Sequence, residues 1–441
     1  MKRLPRQALP AVAVFDNYWA TSLAFARSLG SRGVPLHFYG SGAGRWSRYC
    51  RGRSPCPPTE NADEFLPWLR ERVRGGDISR IAPTTDSIAF YASVLRDEFA
   101  PEVRRTIAPL VEIENCLIKP RFLAASALPG EPALATAAPD SVGGAVAAAA
   151  SMGYPLILKP KSHLVAGYTE RGRLLMNEAD LLCHYRRYTV PAGQHGIAAA
   201  YPELLWPLLQ RYVPSARNRV YSVSGIKDAD GGVLCACVSY KREQWPPDVG
   251  VSTVQVGHED TRILEAGLRI VNRVLSRGIF EVELLADGDA LHAIDLNPRA
   301  FGFLELDIAR GCDLPWLWFG STMSPQTAIP AAQPQCSIEA RNRIMHVIKG
   351  IAEWRGRLRA PRIDERRDAS RSRRVVSMLG SWTDPVPMII SNLYLLRHPR
   401  SFLRSQLAPR RTDQKVADAR TGRTDSASAW RSDDSVRSRP P

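Results

Sequence analysis

The residues from Ile279 to Arg299 read IFEVELLADGDALHAIDLNPR. Two apolar runs flank the dipeptide Asp287-Gly288, which is typical of a tight hairpin turn, so the stretch predicts two antiparallel strands. Glu283 lies on the first strand, and Asp295 and Asn297 lie two residues apart on the second, where they face the same side. Pairing across the turn is therefore expected to bring Glu283 close to Asp295.

The polar face of this hairpin has two interpretations. Two carboxylates and an amide oxygen are hard oxygen ligands that suit Mg²⁺, which proteins hold through a few carboxylates and substrate phosphates. The alternative is a hairpin whose polar face is simply exposed to water. The sequence of the hairpin leaves both interpretations open.

Two lysines lie where a phosphate group could be bound. Only eight of the 59 basic residues are lysines, so each lysine is more informative than usual. Lys159 ends the apolar run YPLILK, and Lys119 in LIKPRF precedes a helical stretch. An ammonium point charge suits a polyphosphate, whereas a solvated surface lysine is the alternative for each.

The N-terminal residues predict a strand, a helix and a second strand. AVAVF (residues 11–15) and VPLHFY (34–39) are short apolar runs, and between them apolar residues recur at helical spacing. Such a unit builds parallel sheets, so the first ~115 residues are interpreted as a small doubly wound domain. Thr84-Thr85-Asp86 ends a further predicted strand, where open sheets place ligands. Asp16-Asn17 follows the first strand and could cap a helix or, like Thr84 to Asp86, bind substrate.

The middle of the chain predicts mainly strands. An amphipathic helix is predicted over residues 260–277, with Gly278 after its end. Strands are predicted at 172–176, 208–213, 219–225, 233–239, 279–285 and 290–296.

The composition is that of a soluble globular protein. The 441 residues are 44% hydrophobic and 23% charged, which excludes a wholly disordered chain, a collagen and a disulfide miniprotein. No apolar run approaches the roughly 20 residues needed to cross a bilayer. The eight cysteines include no CxxC pair, and we predict reduced thiols in a cytoplasmic protein.

The positive charge is concentrated near the C-terminus. The net charge is +15, and residues 341–441 contain 23 basic and 10 acidic residues, a surplus of 13. This segment is interpreted as a solvated helical face, as a surface for anionic lipid or an acidic polymer, or, least favoured, as a nucleic-acid contact. Residues 382–396 are expected to form an interfacial helix or to pack on the body. Residues 409–441 are expected to be disordered.

The order of these features resembles the ATP-grasp superfamily of carboxylate–amine ligases over roughly residues 10 to 320. The resemblance implies an α/β and α+β protein, with an N-terminal Rossmann-like domain before a two-lobed ATP-grasp fold. The implied domains are a Rossmann-like domain (1–118), a lid lobe (119–206), a central lobe with the metal site (207–325), a basic, partly helical C-terminal extension (326–408) and a disordered tail (409–441).

The resemblance also implies roles for individual residues. Lys119 and Lys159 resemble the two nucleotide lysines, and Lys241 resembles the phosphate-contacting lysine of the central lobe. Arg299, in Asn-Pro-Arg, resembles the arginine that stabilises phosphate and the acyl intermediate, so Arg299 and Lys241 are the predicted catalytic residues. The hinge strand implied to meet the adenine contains Gln210, Arg211, Tyr212 and Val213. The implied metal ligands are Glu283, Asp295 and Asn297.

Within the superfamily, the chain is most similar to the D-aspartate-ligase-like group of predicted carboligases. The residues that carry this likeness are Ser47 to Cys50, Pro83 to Asp86, Arg242 to Pro247 and Gly311 to Pro315. Several positions depart from the superfamily pattern. The loop from Lys161 to Gly167 has one glycine, Gln210 and Arg217 replace acidic residues, and Asp295 replaces a glutamate.

The implied activity is ATP-dependent joining of a small carboxylate, expected to be an amino acid, to an amine through an acyl phosphate. The implied cofactors are ATP and Mg²⁺, with Mn²⁺ as an alternative ion. One alternative function is a non-catalytic or regulatory ATP-binding protein, and another is ATP-grasp carboxylation or phosphorylation. Glu281 could bind the amine or a second metal, or be a solvated strand carboxylate, and His163 could close on ATP or be an ordinary loop residue. We expect small-molecule substrates, a homo-oligomer, no nucleic acid, and a peripheral membrane contact through the basic segment.

Overall fold

A computed structural model gives the fold of the chain. It describes residues 9–15, 19–127, 133–165, 172–185, 197–214, 219–245, 249–323, 338–342 and 374–397. Residues Met1–Asn392 form one compact unit and Leu393–Pro441 a second one, of which only the last turns of a helix, up to residue 397, are described. The predictions for Asp16-Asn17, Gly167, Arg217, Pro246-Pro247 and the tail 409–441 lie outside the described residues.

The N-terminal residues form a parallel sheet of three strands. These are β1 (Val12–Phe15), β2 (Leu36–Tyr39) and β3 (Cys50–Ser54), in the order β1-β2-β3. Helix α1 (Trp19–Gly30) connects β1 to β2, which confirms the predicted strand, helix and strand. Ile81 adds an isolated parallel bridge to Ala13. Strand β3 was not predicted, because its sequence CRGRS has no apolar alternation.

A second sheet has four antiparallel strands. They are β4 (Thr136–Ala137), β5 (Leu156–Lys159), β6 (Arg173–Leu175) and β7 (Leu208–Arg211), in the order β4-β7-β5-β6. Helix α7 (Val142–Met152) packs Ala145 and Ala149 against this sheet. Since β7 belongs here, the sheet extends beyond residue 206, where the lid lobe was predicted to end, and the lobe boundaries stay a prediction.

The third sheet has seven strands and carries the Ile279–Arg299 hairpin. Its order is β12-β11-β8-β9-β10-β13-β14, and all neighbours are antiparallel except the parallel pair β13 and β14. The strands are β8 (Val220–Lys227), β9 (Val233–Trp245), β10 (Val251–His258), β11 (Gly278–Asp287), β12 (Ala290–Asn297), β13 (Ile338–Arg341) and β14 (Arg374–Ser377).

The two faces of the seven-stranded sheet differ in polarity. Helix α10 (Thr261–Val274), capped by Asp260, covers one face, where Ile270 and Val271 join Val223 and Val282 in the core. On the opposite face Ser222, Ser239, Gln255, Glu281 and Glu283 alternate with those apolar residues along the strands. The apolar side of the sheet therefore anchors the core and leaves its other side for a polar site.

The remaining described helices complete the structure. They are α2 (Ala62–Arg74), α3 (Asp86–Val94), α4 (Pro101–Arg104), α5 (Leu110–Leu117), α6 (Lys119–Ser126), α8 (Glu178–Tyr185), α9 (Ile197–Ala200), α11 (Leu304–Ala309), α12 (Leu314–Ser321) and α13 (Val386–Arg397), with short 3-10 turns at Ala43–Trp46, Arg96–Glu98 and Pro202–Leu205. Among the described residues, no helix is both long and apolar enough to cross a membrane.

The prediction that all eight cysteines are reduced is wrong for one pair. Cys235 on β9 and Cys312 before α12 form a disulfide, with their Cα atoms 6.1 Å apart. No local pattern in the sequence indicates this pairing, because 77 residues separate the two cysteines. The packing of α12 against the sheet brings them together. Five of the others, Cys50, Cys56, Cys116, Cys183 and Cys237, form no disulfide.

Two glycines provide a matched test of the packing. A Cβ atom on Gly225 of β8 would lie 2.3 Å from the backbone oxygen of Cys235, which cannot move without disrupting the sheet. We therefore expect Gly225→Ala to lower the free energy of unfolding by at least about 1–3 kcal/mol. Gly143, in α7, has open space around it, and Gly143→Ala should raise the free energy of unfolding by about 0.5–1 kcal/mol. Urea unfolding of both variants measures this difference, and equal stability would contradict it.

Candidate active site

Strands β11 and β12 form the hairpin that the sequence predicted, with a one-residue shift in the pairing between Glu283 and Leu284. Glu283 pairs with Asp295 and Glu281 with Asn297, and Gly288 takes a positive φ of 61° in the turn. Asp295 and Asn297 both face a cavity of about 480 Å³, as do Glu281 and Glu283. The predicted proximity of Glu283 to Asp295 is confirmed.

The cavity collects charged side chains from distant parts of the sequence. Every predicted catalytic and metal-ligating residue lines it, and so do Lys119 and Lys159. The hinge residues 210–213 do not line it. The charged lining residues are Asp86, Lys119, Lys159, Lys241, Glu281, Glu283, Asp295 and Arg299, with His163 beside them.

Two lysines form ion pairs with the two facing carboxylates. The Nζ atom of Lys119, at the start of α6, lies 2.8 Å from Oδ1 of Asp295, and the Lys119 side chain is only 7% exposed. The Nζ atom of Lys241, on β9, lies 2.7 Å from Oε1 of Glu283. Each carboxylate has a second oxygen, so a lysine and a cation can be bound by the same group.

Arg299 connects the hairpin to the N-terminal part of the chain. Its Nε atom donates to Oδ1 of Asp86 at 2.6 Å, and its Nη2 atom donates to Oδ1 of Asn297 at 2.9 Å. Thr85 caps α3, which fixes Asp86 at the first position of the helix. The guanidinium group is thereby held beside the amide oxygen of Asn297. Asp86 was predicted as a candidate for substrate binding, and its ion pair with Arg299 was not foreseen.

Glu281 is buried rather than solvated. It is 8% exposed, and its Oε2 atom accepts a hydrogen bond from Nδ2 of Asn297 at 3.0 Å. Burial, together with the neighbouring Glu283 carboxylate, raises the pKa of Glu281 to about 7. The alternative of a solvated strand carboxylate is therefore wrong.

The lysines and carboxylates alter each other's pKa values. Burial alone would raise the pKa of Asp295, but the nearby Lys119 and His163 outweigh it and lower this pKa to about 2. Burial and the neighbouring Lys119 lower the pKa of Lys159 to about 8. Burial would also raise the pKa of Asp86, but the Arg299 guanidinium outweighs this effect, so the pKa of Asp86 is lowered. Asp295 and Asp86 thus stay ionised at neutral pH.

The hinge strand lies next to the cavity without lining it. Gln210, on β7, is 2% exposed, and its Oε1 atom accepts a hydrogen bond from Nζ of Lys159 at 2.8 Å. Val213 packs with Leu134 and with Ile294, which does line the cavity. The Arg211 side chain does not line the cavity, and its Nη2 atom lies 3.4 Å from Oδ2 of Asp287. The role of residues 210–213 in contacting a base stays a prediction.

The ligand set fits a hard divalent cation. Glu283, Asp295 and Asn297 offer carboxylate and amide oxygens from facing strands, which is the donor type that Mg²⁺ prefers. The lysines and Arg299 around them provide positive charge for an anionic ligand on the same side. This arrangement can hold a metal ion together with a phosphate-bearing molecule.

Further lining residues were not singled out from the sequence. Ser252 and Gln255 come from β10, Phe301 and Phe303 follow the hairpin, and Asn342 follows β13. Gln255 pairs with Lys241 across β9 and β10, so only the strand register brings it into the site. No local pattern in the sequence indicates these positions.

The fold is similar to that of solved carboxylases and of a solved ligase, although no protein-family model and no curated protein matches the sequence. Biotin carboxylase from Campylobacter jejuni aligns with a TM-score of 0.57 and 15% identity, covering 74% of each chain. The biotin carboxylase domain of Hydrogenobacter thermophilus 2-oxoglutarate carboxylase aligns with a TM-score of 0.58 and 14% identity, covering 76% of this chain and 74% of that one. The L-amino acid ligase from Bacillus licheniformis aligns with a TM-score of 0.57 and 13% identity, covering 74% and 79%.

Proposed function

We propose that this chain, which has the ATP-grasp fold, is an ATP-dependent ligase that joins a small carboxylate to an amine. The observation that carries the proposal is the cavity in which Glu283 and Asp295 face each other beside Asn297, Arg299 and three lysines. Such a site combines metal ligands with cations for phosphate oxygens. An amino acid is the carboxylate we propose, and the D-aspartate-ligase-like grouping stays a prediction.

In this proposal ATP would lie between the four-stranded sheet and the hairpin of the seven-stranded sheet. Lys159 at the end of β5 and Lys119 at the start of α6 would contact its phosphates, because both ammonium groups reach the cavity. Ile294, which lines the cavity and packs with Leu134 and Val213, would offer an apolar contact to the base. The backbone of residues 210–213 would meet the edge of the base, as the resemblance implies.

Mg²⁺ would be held by Glu283, Asp295 and Asn297, with Mn²⁺ as the alternative ion. When bound, it neutralises charge on the phosphates and favours phosphoryl transfer. Lys241 and Arg299 are the proposed catalytic residues, because both contact this ligand set and carry charge toward the γ-phosphate.

The proposed reaction has two steps. A substrate carboxylate oxygen attacks the γ-phosphorus of ATP, the bond from that phosphorus to the β,γ-bridging oxygen breaks, and ADP leaves. The neutral amine then attacks the carbonyl carbon of the acyl phosphate, phosphate leaves with the bonding electrons, and the amine nitrogen loses a proton. Arg299 is placed to stabilise the developing charge in both steps, and no protein nucleophile is needed.

A different ATP-grasp chemistry is the second candidate. Two of the similar structures are biotin carboxylases, and one of them was solved with bicarbonate. The fold is just as similar to that of an L-amino acid ligase, so fold similarity supports ligation as well as it supports carboxylation. The products separate the two, because ligation consumes an amine and yields an amide, whereas carboxylation consumes bicarbonate.

The test is phosphate release from ATP and Mg²⁺ in the presence of pooled amino acids and amines. We expect release to rise with one pool and the product to contain a new amide bond, detected by mass spectrometry. Release that requires bicarbonate and no amine would overturn ligation. ATP binding without turnover in any pool would favour the regulatory, non-catalytic alternative.

The pKa of Lys159 predicts a pH dependence of ATP affinity. Only the protonated ammonium attracts phosphate, and its pKa in the free protein is about 8. Binding raises this pKa, so ATP affinity should hold below about pH 8 and decline by at least roughly tenfold as the pH rises above it. Calorimetric titrations with ATP at several pH values measure the decline.

Two variants control this pH experiment. Lys159→Met should bind ATP weakly at every pH, because it has no charge to lose. Lys159→Arg keeps its charge throughout and should show no decline between about pH 7 and pH 9.5. A decline of the same size in Lys159→Arg would assign the pH dependence to another group.

The remaining predictions about partners and location are part of this proposal. We propose small-molecule carboxylate and amine substrates, a homo-oligomer, no nucleic acid partner and a cytoplasmic location. The similar domain from Hydrogenobacter thermophilus was solved as a dimer, which supports testing the oligomeric state by light scattering.

A further inference from the structure

Apolar side chains are exposed where the chain enters its last described helix. Trp382 is 100% exposed, and Val386 and Ile389 of α13 are 44% and 49% exposed. Val386 and Ile389 lie three residues apart on α13 and share one side of the helix, while Trp382 lies in the turn that precedes the helix. Ser391, on another side of α13, is 1% exposed, and its Oγ atom donates to the backbone oxygen of Pro387 in the same helix.

The start of this segment is held firmly by the N-terminal part of the chain. Asp384 is 1% exposed, and its carboxylate accepts hydrogen bonds from Oγ of Ser47 at 2.8 Å and the backbone N of Arg48 at 2.9 Å. A guanidinium nitrogen of Arg48 also donates to the backbone oxygen of Thr383 at 3.2 Å. These contacts hold Thr383 and Asp384 against residues 47 and 48, and Trp382 is the next residue toward the N-terminus.

The residues beside this anchor are basic and aromatic. Trp46 is 45% exposed, and the guanidinium group of Arg53 lies 4.8 Å from its ring centroid. Arg51 and Arg53 are the exposed residues of β3 and share one face of that strand. We call Trp46, Arg51, Arg53, Trp382, Val386 and Ile389 the apolar–basic surface.

We propose that the apolar–basic surface binds a membrane surface containing anionic lipid. Tryptophans with apolar neighbours lie at the boundary of headgroups and acyl chains, while arginines contact lipid phosphates. The charge of the chain is complementary to such lipids, because residues 341–441 carry a basic surplus of 13. A nucleic acid would use the arginines but leave Val386 and Ile389 in water, so lipid explains both halves of the surface.

The inference does not depend on the reaction, since it concerns residues outside the cavity. It specifies which side of the protein faces the lipid, which the sequence alone left open.

The test is sedimentation of the full chain with vesicles of phosphatidylglycerol and phosphatidylcholine, and with vesicles of phosphatidylcholine alone. We expect binding to the anionic vesicles to be at least roughly tenfold tighter and to weaken at high salt. The double variant Trp382→Ser/Ile389→Ser should reduce binding by roughly tenfold or more. Arg51→Gln/Arg53→Gln should reduce it mainly at low salt.

Matched controls use exposed residues elsewhere. Val111→Ser/Leu182→Ser replaces apolar residues that are 60% and 47% exposed, and Arg72→Gln/Arg74→Gln replaces two exposed arginines of α2. Both should bind vesicles like the unaltered chain. The proposal is overturned if the unaltered chain does not sediment, or if Trp382→Ser/Ile389→Ser binds equally well. Surface-dependent binding to DNA or polyglutamate without vesicle binding also overturns it.

Discussion

Replacing Glu283 with glutamine is expected to lower Mg²⁺-dependent turnover by at least about 100-fold. The amide keeps the size of the side chain but lacks the anionic oxygens for Mg²⁺. It also removes the ion pair with Lys241, whose Nζ atom lies 2.7 Å from the carboxylate. Both changes weaken the stabilisation of the same ATP phosphates. The loss of turnover should therefore exceed the loss caused by removing a single hydrogen bond. The measurement is phosphate release with the activating substrate pool.

Nucleotide binding separates this effect from a general loss of structure. In calorimetric titrations, Mg²⁺ should increase the ATP affinity of the unaltered chain. In Glu283→Gln, the ATP affinity should be the same with and without Mg²⁺. The matched control is Asp289→Asn, which removes an exposed carboxylate from the turn of the same hairpin. Full turnover in Glu283→Gln, or equal losses in both variants, would contradict the metal assignment.

Replacing Asp295 with asparagine is expected to affect both catalysis and stability. Turnover should fall by at least about 100-fold, because a proposed metal ligand loses its charge. The free energy of unfolding should fall by about 2 kcal/mol, which corresponds to a carboxyl pKa lowered from 3.8 to about 2. The stability loss arises because Lys119, 7% exposed, is left without its partner. Urea unfolding at neutral pH measures it.

The pH dependence of this stability difference has a definite sign. A lowered carboxyl pKa stabilises the folded state above the unfolded pKa of 3.8, and this contribution is lost as the pH falls toward 2. The gap between the unaltered chain and Asp295→Asn should therefore be constant above about pH 5 and close below it. The double variant Lys119→Met/Asp295→Leu removes both charges and should recover stability without turnover. A gap that persists at low pH would refute the ion-pair explanation.

The sequence predicted those features of the fold that local patterns determine. The Asp287-Gly288 turn and the two flanking apolar runs specify a hairpin. The turn sets the pairing up to Leu284 and Ala293, and a one-residue shift in the pairing between Leu284 and Glu283, which the sequence did not indicate, then places Glu283 opposite Asp295. The strand, helix and strand at the N-terminus and helix α10 follow from their periodicity in the same way. The roles assigned to the site residues came from the family resemblance and stay predictions.

Features that depend on contacts between distant residues could not be predicted. Asp86 and Arg299 are 213 residues apart, and Cys235 and Cys312 are 77 apart, so no local pattern links either pair. Strand β3 has a polar sequence and exists because β2 provides a partner edge. The contact of Gln210 with Lys159 follows from the register of β5 and β7.

The two lysine–carboxylate ion pairs have a consequence for the order in which ligands arrive. In the proposed function, free Mg²⁺ would bind carboxylates whose charge Lys119 and Lys241 already balance, and free ATP would bind lysines whose charge is balanced in the same way. A magnesium–nucleotide complex would supply a cation to the carboxylates and phosphates to the lysines at the same time. We therefore expect each ligand alone to bind weakly and the two together to bind tightly.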